Sequence, residues 1–260
     1  MKQMPCWLTA FFLVLVLFTA PLVIAQAPSK AASSTHFQSG LRFDYFSRTV
    51  GWSNDEATSK LTSFIGSLVL GIEFRPGFSL AAILGYSSTD FESVTFSRLP
   101  LSVDFGGGGI SGYVLGGEIC GRLLSGPSLG IDLVGQFLTC LGGNKKWDIP
   151  GLVVSGTVEG KQNWMRASIG PQFIYREWKG FSPYVFPSFD YLWGTFTMKE
   201  TIQTLGGEEK KDHKGKSLFG IALGANIDVS AKIQIKGEAG IYPYDGGVDY
   251  SAVLKALISF

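Results

Sequence analysis

Charge is scarce in this chain. Asp, Glu, Lys and Arg make up 17% of its 260 residues, and the formal net charge is +1. An average soluble domain carries roughly a quarter of such residues. Dispersed, balanced charge gives no reason to expect nucleic acid or an anionic surface as partner. Histidine is rarer still, with two in the whole chain, and cysteine occurs three times. Those cysteines and histidines lie far apart, so no zinc-ligand spacing is present, and no cofactor motif stands out. GGGG (106–109) lacks the helix and Lys of a phosphate loop and reads as a flexible loop base. Long apolar runs and helical periodicity are both missing after residue 25, which removes helical bundles of either the soluble or the membrane kind.

Glycine (34 residues) and aromatics (13%) are abundant. The first 25 residues form a separate object. Lys2 supplies a positive start, Trp7 to Ile24 is almost unbroken apolar, and Val23-Ile24-Ala25 suits a signal peptidase. Cleavage after Ala25 is expected. Residues 26–35 (QAPSKAASST) read as a flexible periplasmic lead-in. Cys6 leaves with the signal, so the mature chain keeps Cys120 and Cys140.

From His36 onward the hydropathy alternates with period two, which means strands. Ten runs follow, near 36–48, 62–75, 78–92, 110–124, 128–141, 162–177, 181–196, 216–229, 231–243 and 248–260. Each exceeds the roughly 9–11 residues a tilted strand needs to cross a bilayer. One face of each run is apolar: Phe37, Leu41, Phe43 and Tyr45 in the first oppose Gln38, Arg42, Asp44 and Arg48. A soluble sandwich alternates in the same way. Here, however, the polar face carries Gly, Ser, Ala and occasional charges rather than dense Lys and Glu. That suits the inside of a small barrel.

Aromatics gather near both run ends. Phe74, Phe78, Tyr175, Phe181 and Phe260 lie at one, and Tyr45, Tyr86, Tyr113, Trp193 and Tyr250 at the other. Such girdles are expected at bilayer interfaces. Link lengths alternate too. Those at 75–77, 124–128, 177–181 and 230 are tight, and those at 49–61, 93–109, 142–161 and 197–215 are long; only 244–247 breaks the pattern. Short periplasmic turns and long outer loops mark bacterial barrels. The fold expected is an all-β, transmembrane, antiparallel up-and-down barrel over 36–260, with ten strands preferred and eight as the alternative. Its location is the bacterial outer membrane.

The last run alternates Tyr250, Ala252, Leu254, Ala256, Ile258 and Phe260 with Ser251, Val253, Lys255, Leu257 and Ser259. It resembles the C-terminal strand that outer-membrane barrels present to their insertion machinery, with Tyr250, Ile258 and Phe260 as the signal. FSPYVFPSFDYLWG (181–194) and LFGIALGANIDVSAKIQIKGEAGIYPY (218–244) resemble the last hairpins of the small OmpA/OmpX-type barrel family. That resemblance covers about the last 80 residues and implies barrel-insertion machinery and outer-membrane lipid as partners. The family usually has eight strands.

Fourteen charges fall on the inward parity: Arg42, Asp44, Glu73, Arg75, Glu118, Arg122, Asp132, Arg166, Arg176, Asp190, Asp228, Lys236, Glu238 and Lys255, seven of each sign. Charge in a narrow lumen must pair, and small barrels are just wide enough for side chains to fill. A mostly plugged polar lumen is therefore expected, with a structural or surface-interaction role through outer loops that could bind extracellular ligands. A narrow porin-like pore is the alternative. A rim enzyme ranks third. The omptin proteases, which a ten-stranded barrel resembles in architecture, need an Asp pair facing an Asp-His pair. Here His36 starts the first run, and His213 follows Asp212 in a charge run that reads as solvated loop, with no paired acids near Asp90 or Asp104. No catalytic, cofactor or metal residue is assigned. Cys120 and Cys140 should face the lumen as free thiols, separated by roughly 25 Å along the strands. Pro171 and Pro187 should fall opposite one another and disturb the ladder there.

Overall fold

The computed structural model describes residues 35–53, 57–75, 77–92, 94–100, 103–105, 108–148 and 156–260. The leader, the cleavage at Ala25 and the lead-in up to residue 34 lie outside the described residues. Thirteen strands follow in chain order: β1 (His36–Trp52), β2 (Thr58–Arg75), β3 (Phe78–Glu92), β4 (Val94–Phe96), β5 (Val103–Phe105), β6 (Ile110–Ser125), β7 (Leu129–Asp148), β8 (Gly156–Tyr175), β9 (Phe181–Ile202), β10 (Leu205–Gly215), β11 (Phe219–Asp228), β12 (Ile233–Tyr244) and β13 (Gly247–Ser259). Among the described residues no helix is long and apolar enough to cross a membrane.

Ten of these strands correspond to the ten sequence runs, and they close a ring. Each pairs antiparallel with the next in the order β1, β2, β3, β6, β7, β8, β9, β11, β12, β13, and β13 returns to β1 with Gln38 opposite Ser259 and Ser47 opposite Tyr250. A closed ring leaves no sheet edge, which is what a strand protein in lipid requires. The outward parity is apolar: Phe43, Phe64, Leu68, Leu84, Leu115, Phe137, Phe173, Ile221 and Leu254 are all exposed. Aromatic pairs mark both borders of this belt, with Phe74–Phe78 and Trp178–Phe181 below and Tyr86–Tyr113 and Tyr191–Trp193 above.

Three strands lie beyond the ten runs. The links expected as long loops are largely strand. β8 has 20 residues and β9 has 22. At about 3.3 Å per residue such strands run roughly 70 Å, far more than a tilted strand needs to cross an apolar band about 25 Å tall. The upper half of the wall therefore stands above the belt, and its outward face changes character. On β10 the outward residues are Glu208, Lys210, Asp212 and Lys214. Period-two patterning with polar residues outside hides these extensions from a reading that looks for an apolar outer face.

β10 also accounts for the one short outer link. β12 and β13 meet in a tight turn at Asp245-Gly246, with Gly246 at φ +109°. Above that hairpin β1 loses β13 as neighbour and takes β10 instead, pairing Val50, Gly51 and Trp52 with Gly215, Lys214 and His213. β9 makes the same exchange, pairing β11 below Phe189 and β10 above Trp193. β10 and β11 are thus one descending wall position, broken at residues 216–218. The remaining pair, β4 and β5, forms a small separate hairpin from the 93–109 link.

Pro171 and Pro187 do face each other across β8 and β9. The ladder skips from Ile169–Phe189 to Phe173–Val185 without changing register. The disturbance is a gap rather than a bulge, because each proline lacks only its own donor. Bulges occur instead at residues 73–75, 122–124 and 141–144.

Candidate functional site: the filled lumen

The inward face is built in two storeys. In the belt region it carries charge, stacked in layers fixed by strand register. Arg42 on β1 stands opposite Lys255 on β13, and Lys255 opposite Lys236 on β12. Three cations in one row need acids nearby, and the row is interleaved with them. Arg42 makes a two-pronged bond to Asp44 (2.7 and 2.5 Å) and reaches Glu118 across the lumen at 3.3 Å. Lys255 donates to both Glu118 oxygens at 2.7 and 2.5 Å, and Gln136 bonds both Glu118 and Arg42. A six-residue step up β1 brings Arg48. It pairs with Asp190 at 2.5 Å and lies 3.8 Å from Asp249. Arg166 holds the other Asp190 oxygen at 2.7 Å and donates to the Tyr242 hydroxyl at 2.8 Å, while the Tyr242 ring covers the Arg48 guanidinium at 4.0 Å. The rows balance: Arg42, Lys255 and Lys236 against Asp44, Glu118 and Glu238, and Arg48 and Arg166 against Asp190 and Asp249. Charges out of water are tolerable only when paired and hydrogen-bonded in this way.

Toward the opposite mouth the network loosens. Asp132 lies 3.5 Å from Arg122 and 3.6 Å from Arg176. Glu238 accepts from Tyr184 at 2.8 Å and faces Lys236 at 3.8 Å. Glu73 accepts from the Gly77 amide, and Asp228 accepts from Gln234 at the exposed rim. Arg75 ends β2, and its side chain lies outside the described set. Thirteen of the fourteen expected charges are thus described, and all thirteen make a polar contact. At the tight-turn end, outside the belt, Glu177 accepts from Ser128 and Tyr175, and these bonds lower its pKa.

Two members of the network are absent from the sequence-level set, Arg48 and Asp249. Both have the inward parity: the first run's alternation places Arg48 with Arg42 and Asp44, and Asp249 shares the face of Lys255. What hid Asp249 was its place beside a tight turn, where acids are ordinary.

The upper storey departs further from expectation. The inward face there is apolar and aromatic, not polar. Phe46, Leu61, Ile65, Phe91, Ile110, Val114, Leu138, Trp164, Leu192, Phe196 and Met198 form one buried cluster, joined by Val94, Phe96 and Leu99 from the β4 hairpin and its exit. Phe46 meets Trp164 edge-on at 5.3 Å, and Phe91, Phe196 and Phe96 continue a chain of rings toward the hairpin. The hairpin is held to β10 at two points: the Arg98 amide donates to Glu209 at 2.8 Å, and Pro100 packs on Gly207. The Trp164 indole donates to Thr89 at 3.1 Å, so the cluster's largest ring also satisfies its one polar atom.

His213 corrects the sequence reading most sharply. It is not solvated loop. It points inward from β10 and is 1% exposed, with its ring against Trp52 (5.3 Å) and Phe91 (5.2 Å). Neither ring nitrogen has a hydrogen-bond partner. Burial alone pulls its pKa down to about 3. Asp212 points the other way, into solvent.

Among the described residues a cavity of about 30 Å³ lies between Arg42, Glu118, Gln136, Arg166 and Gln172, room for on the order of one water molecule. A wider recess of about 370 Å³ opens at the tight-turn end beside Gln38, Asp228 and Lys232. Cys120 and Cys140 are free, as expected, and both face inward; they stand six residues apart in register, roughly 20 Å along the strands, because Cys120 pairs Val134 and Cys140 pairs Val114. No group of metal-ligating side chains occurs among the described residues. Tyr250 and Ile258 on β13 and Phe260 just after it are all exposed.

No protein-family model and no curated sequence matches this chain. Solved structures match it at low identity. The outer membrane protease OmpT from Escherichia coli is 12% identical, with 90% of this chain and 99% of that one covered and a TM-score of 0.47. An outer membrane channel from Pseudomonas putida F1 is 14% identical over 90% and 99%, with a TM-score of 0.41. The attachment invasion locus protein Ail of Yersinia pestis is 11% identical over 88% and 100%, with a TM-score of 0.33.

Proposed function

We propose that this protein is an integral outer-membrane barrel that spans the bilayer without conducting, and that it acts through the wall and cap it raises above the membrane. The observation carrying this reading is the filling of the lumen: balanced ion pairs in the belt and a chain of packed rings above them. A pore needs a continuous wet path, and the cavity of about 30 Å³ among Arg42, Glu118 and Arg166 is too small to supply one at that level. The outward charged face of β8, β9 and β10 gives the protein a polar surface for contacts outside the cell. On this reading the partners are outer-membrane lipid along the belt, the insertion machinery at Tyr250, Ile258 and Phe260, and extracellular ligands above.

The narrow-pore reading draws on the recess at the tight-turn end, where a solute could enter. It would have to displace the Phe46–Trp164 stack to leave. The rim-enzyme reading loses its candidate, since the His213 imidazole is enclosed by rings and meets no carboxylate. Liposome swelling with small sugars and amino acids tests the proposal. Vesicles carrying the refolded protein should swell no faster than protein-free vesicles. Swelling that falls with solute size would favour the pore.

A further inference from the structure

His213 is the one buried imidazole in the described residues, and nothing in the lumen network uses it. Its position is mechanical. β10 carries three groups on one inward face: His213, which packs on Trp52 of β1 and Phe91 of β3; Glu209, which accepts from the Arg98 amide; and Gly207, which takes Pro100. The same strand supplies the β1 contact that closes the wall above the β12–β13 hairpin, three residue pairs long. Gly194, opposite His213 on β9, makes room for the ring: a Cβ there would stand 2.7 Å from the imidazole. The ring can gain water only if β10 moves away from β1 and takes the hairpin with it.

We propose that His213 is an acid-responsive latch, which holds the outer seal shut while neutral and favours its opening when protonated. The proposal goes beyond the function argued above and depends only on the fold.

The surroundings do not offer a charged imidazole a partner in place. From β1, the nearest inward charge is Arg48, already paired with Asp190. β2 presents Leu61 and Ser59, β3 presents Phe91 and Thr89, and β8 presents Trp164 and Gln162, none of them ionisable. On β9, Asp190 lies below and Glu200 above. On β10 itself, Lys211 is the next inward residue and reaches Glu209 at 3.9 Å. In the closed state the imidazole therefore stays neutral, and burial holds its pKa near 3. In an opened state it returns to about 6.5. The open state binds the proton more tightly, so closure weakens as pH falls below about 6.5 and goes on weakening down to about 3.

The test is hydrogen exchange on the full-length protein in lipid vesicles, followed at Val94–Leu99 and at β10 and corrected for the pH dependence of intrinsic amide exchange. Between pH 7.5 and pH 4.5 the opening equilibrium should rise about 100-fold, one decade per pH unit below 6.5. His213→Phe keeps a ring in the cage and cannot be protonated, and its exchange should be flat over the same range. Because that variant could fail to fold, imidazole carbon NMR on the wild type is the second measurement, with His36→Gln identifying the signal. A His213 signal that stays neutral down to pH 4.5 in the closed protein supports the latch. A signal titrating near 6.5, or equal acid sensitivity in wild type and His213→Phe, overturns it.

Discussion

At the residue scale, the lumen depends on a few carboxylates that each hold two cations. Asp190 is the clearest. It lies between Arg48 and Arg166, with Arg48 and Asp190 both fully buried. Removing its charge leaves two guanidiniums facing each other with no counter-ion close to both. Breaking such a pair costs about 3–5 kcal/mol, more than the pair itself contributes. Asp190→Asn should therefore lower barrel stability in urea by about that amount. Replacing Arg48, Arg166, Asp190 and Asp249 together by apolar residues of similar size should cost much less. Equal losses in the two variants would mean that the layer acts through shape and not through charge balance. Arg166 and Asp190 were legible in the sequence because a charge on the inward parity of an otherwise apolar strand has few other reasons to be there. The pairing was not, since Arg42 with Glu118 and Arg48 with Asp190 join strands far apart in the chain.

At the element scale, the ten belt strands could be read because lipid on one side enforces strict alternation. The extensions could not. Above the belt both environments change: water replaces lipid outside, and packed rings replace ion pairs inside. EEKKDHKG on β10 then has the look of a charge run, although Glu209, Lys211 and His213 all face inward. Phe96 and Phe196 were equally hidden, one in a link and one at a run's end. The ring chain gives these elements a testable role. Phe196 touches both Phe91 and Phe96 and is fully buried. Phe196→Ala should cost about 3–5 kcal/mol and should raise hydrogen exchange in the β4 hairpin far more than in β12 and β13. Uniform loosening of the whole ring would argue that the cap is not a separate layer.

At the scale of the whole molecule, the protein is a tube filled by two kinds of interior. Belt residues bury charge because a lumen ten strands round must be filled and its polar groups satisfied. The upper wall buries rings because β10 draws β1 and β9 together over the short β12–β13 hairpin and a cap hairpin drops in. The sealed state proposed above rests on both, and single-channel recording in planar bilayers tests it most directly. Wild-type protein should give no steady current at neutral pH, while Trp164→Ala with Phe46→Ala, which removes the first ring pair of the seal, should give brief openings. A steady, ohmic conductance from the wild type at neutral pH would contradict the account.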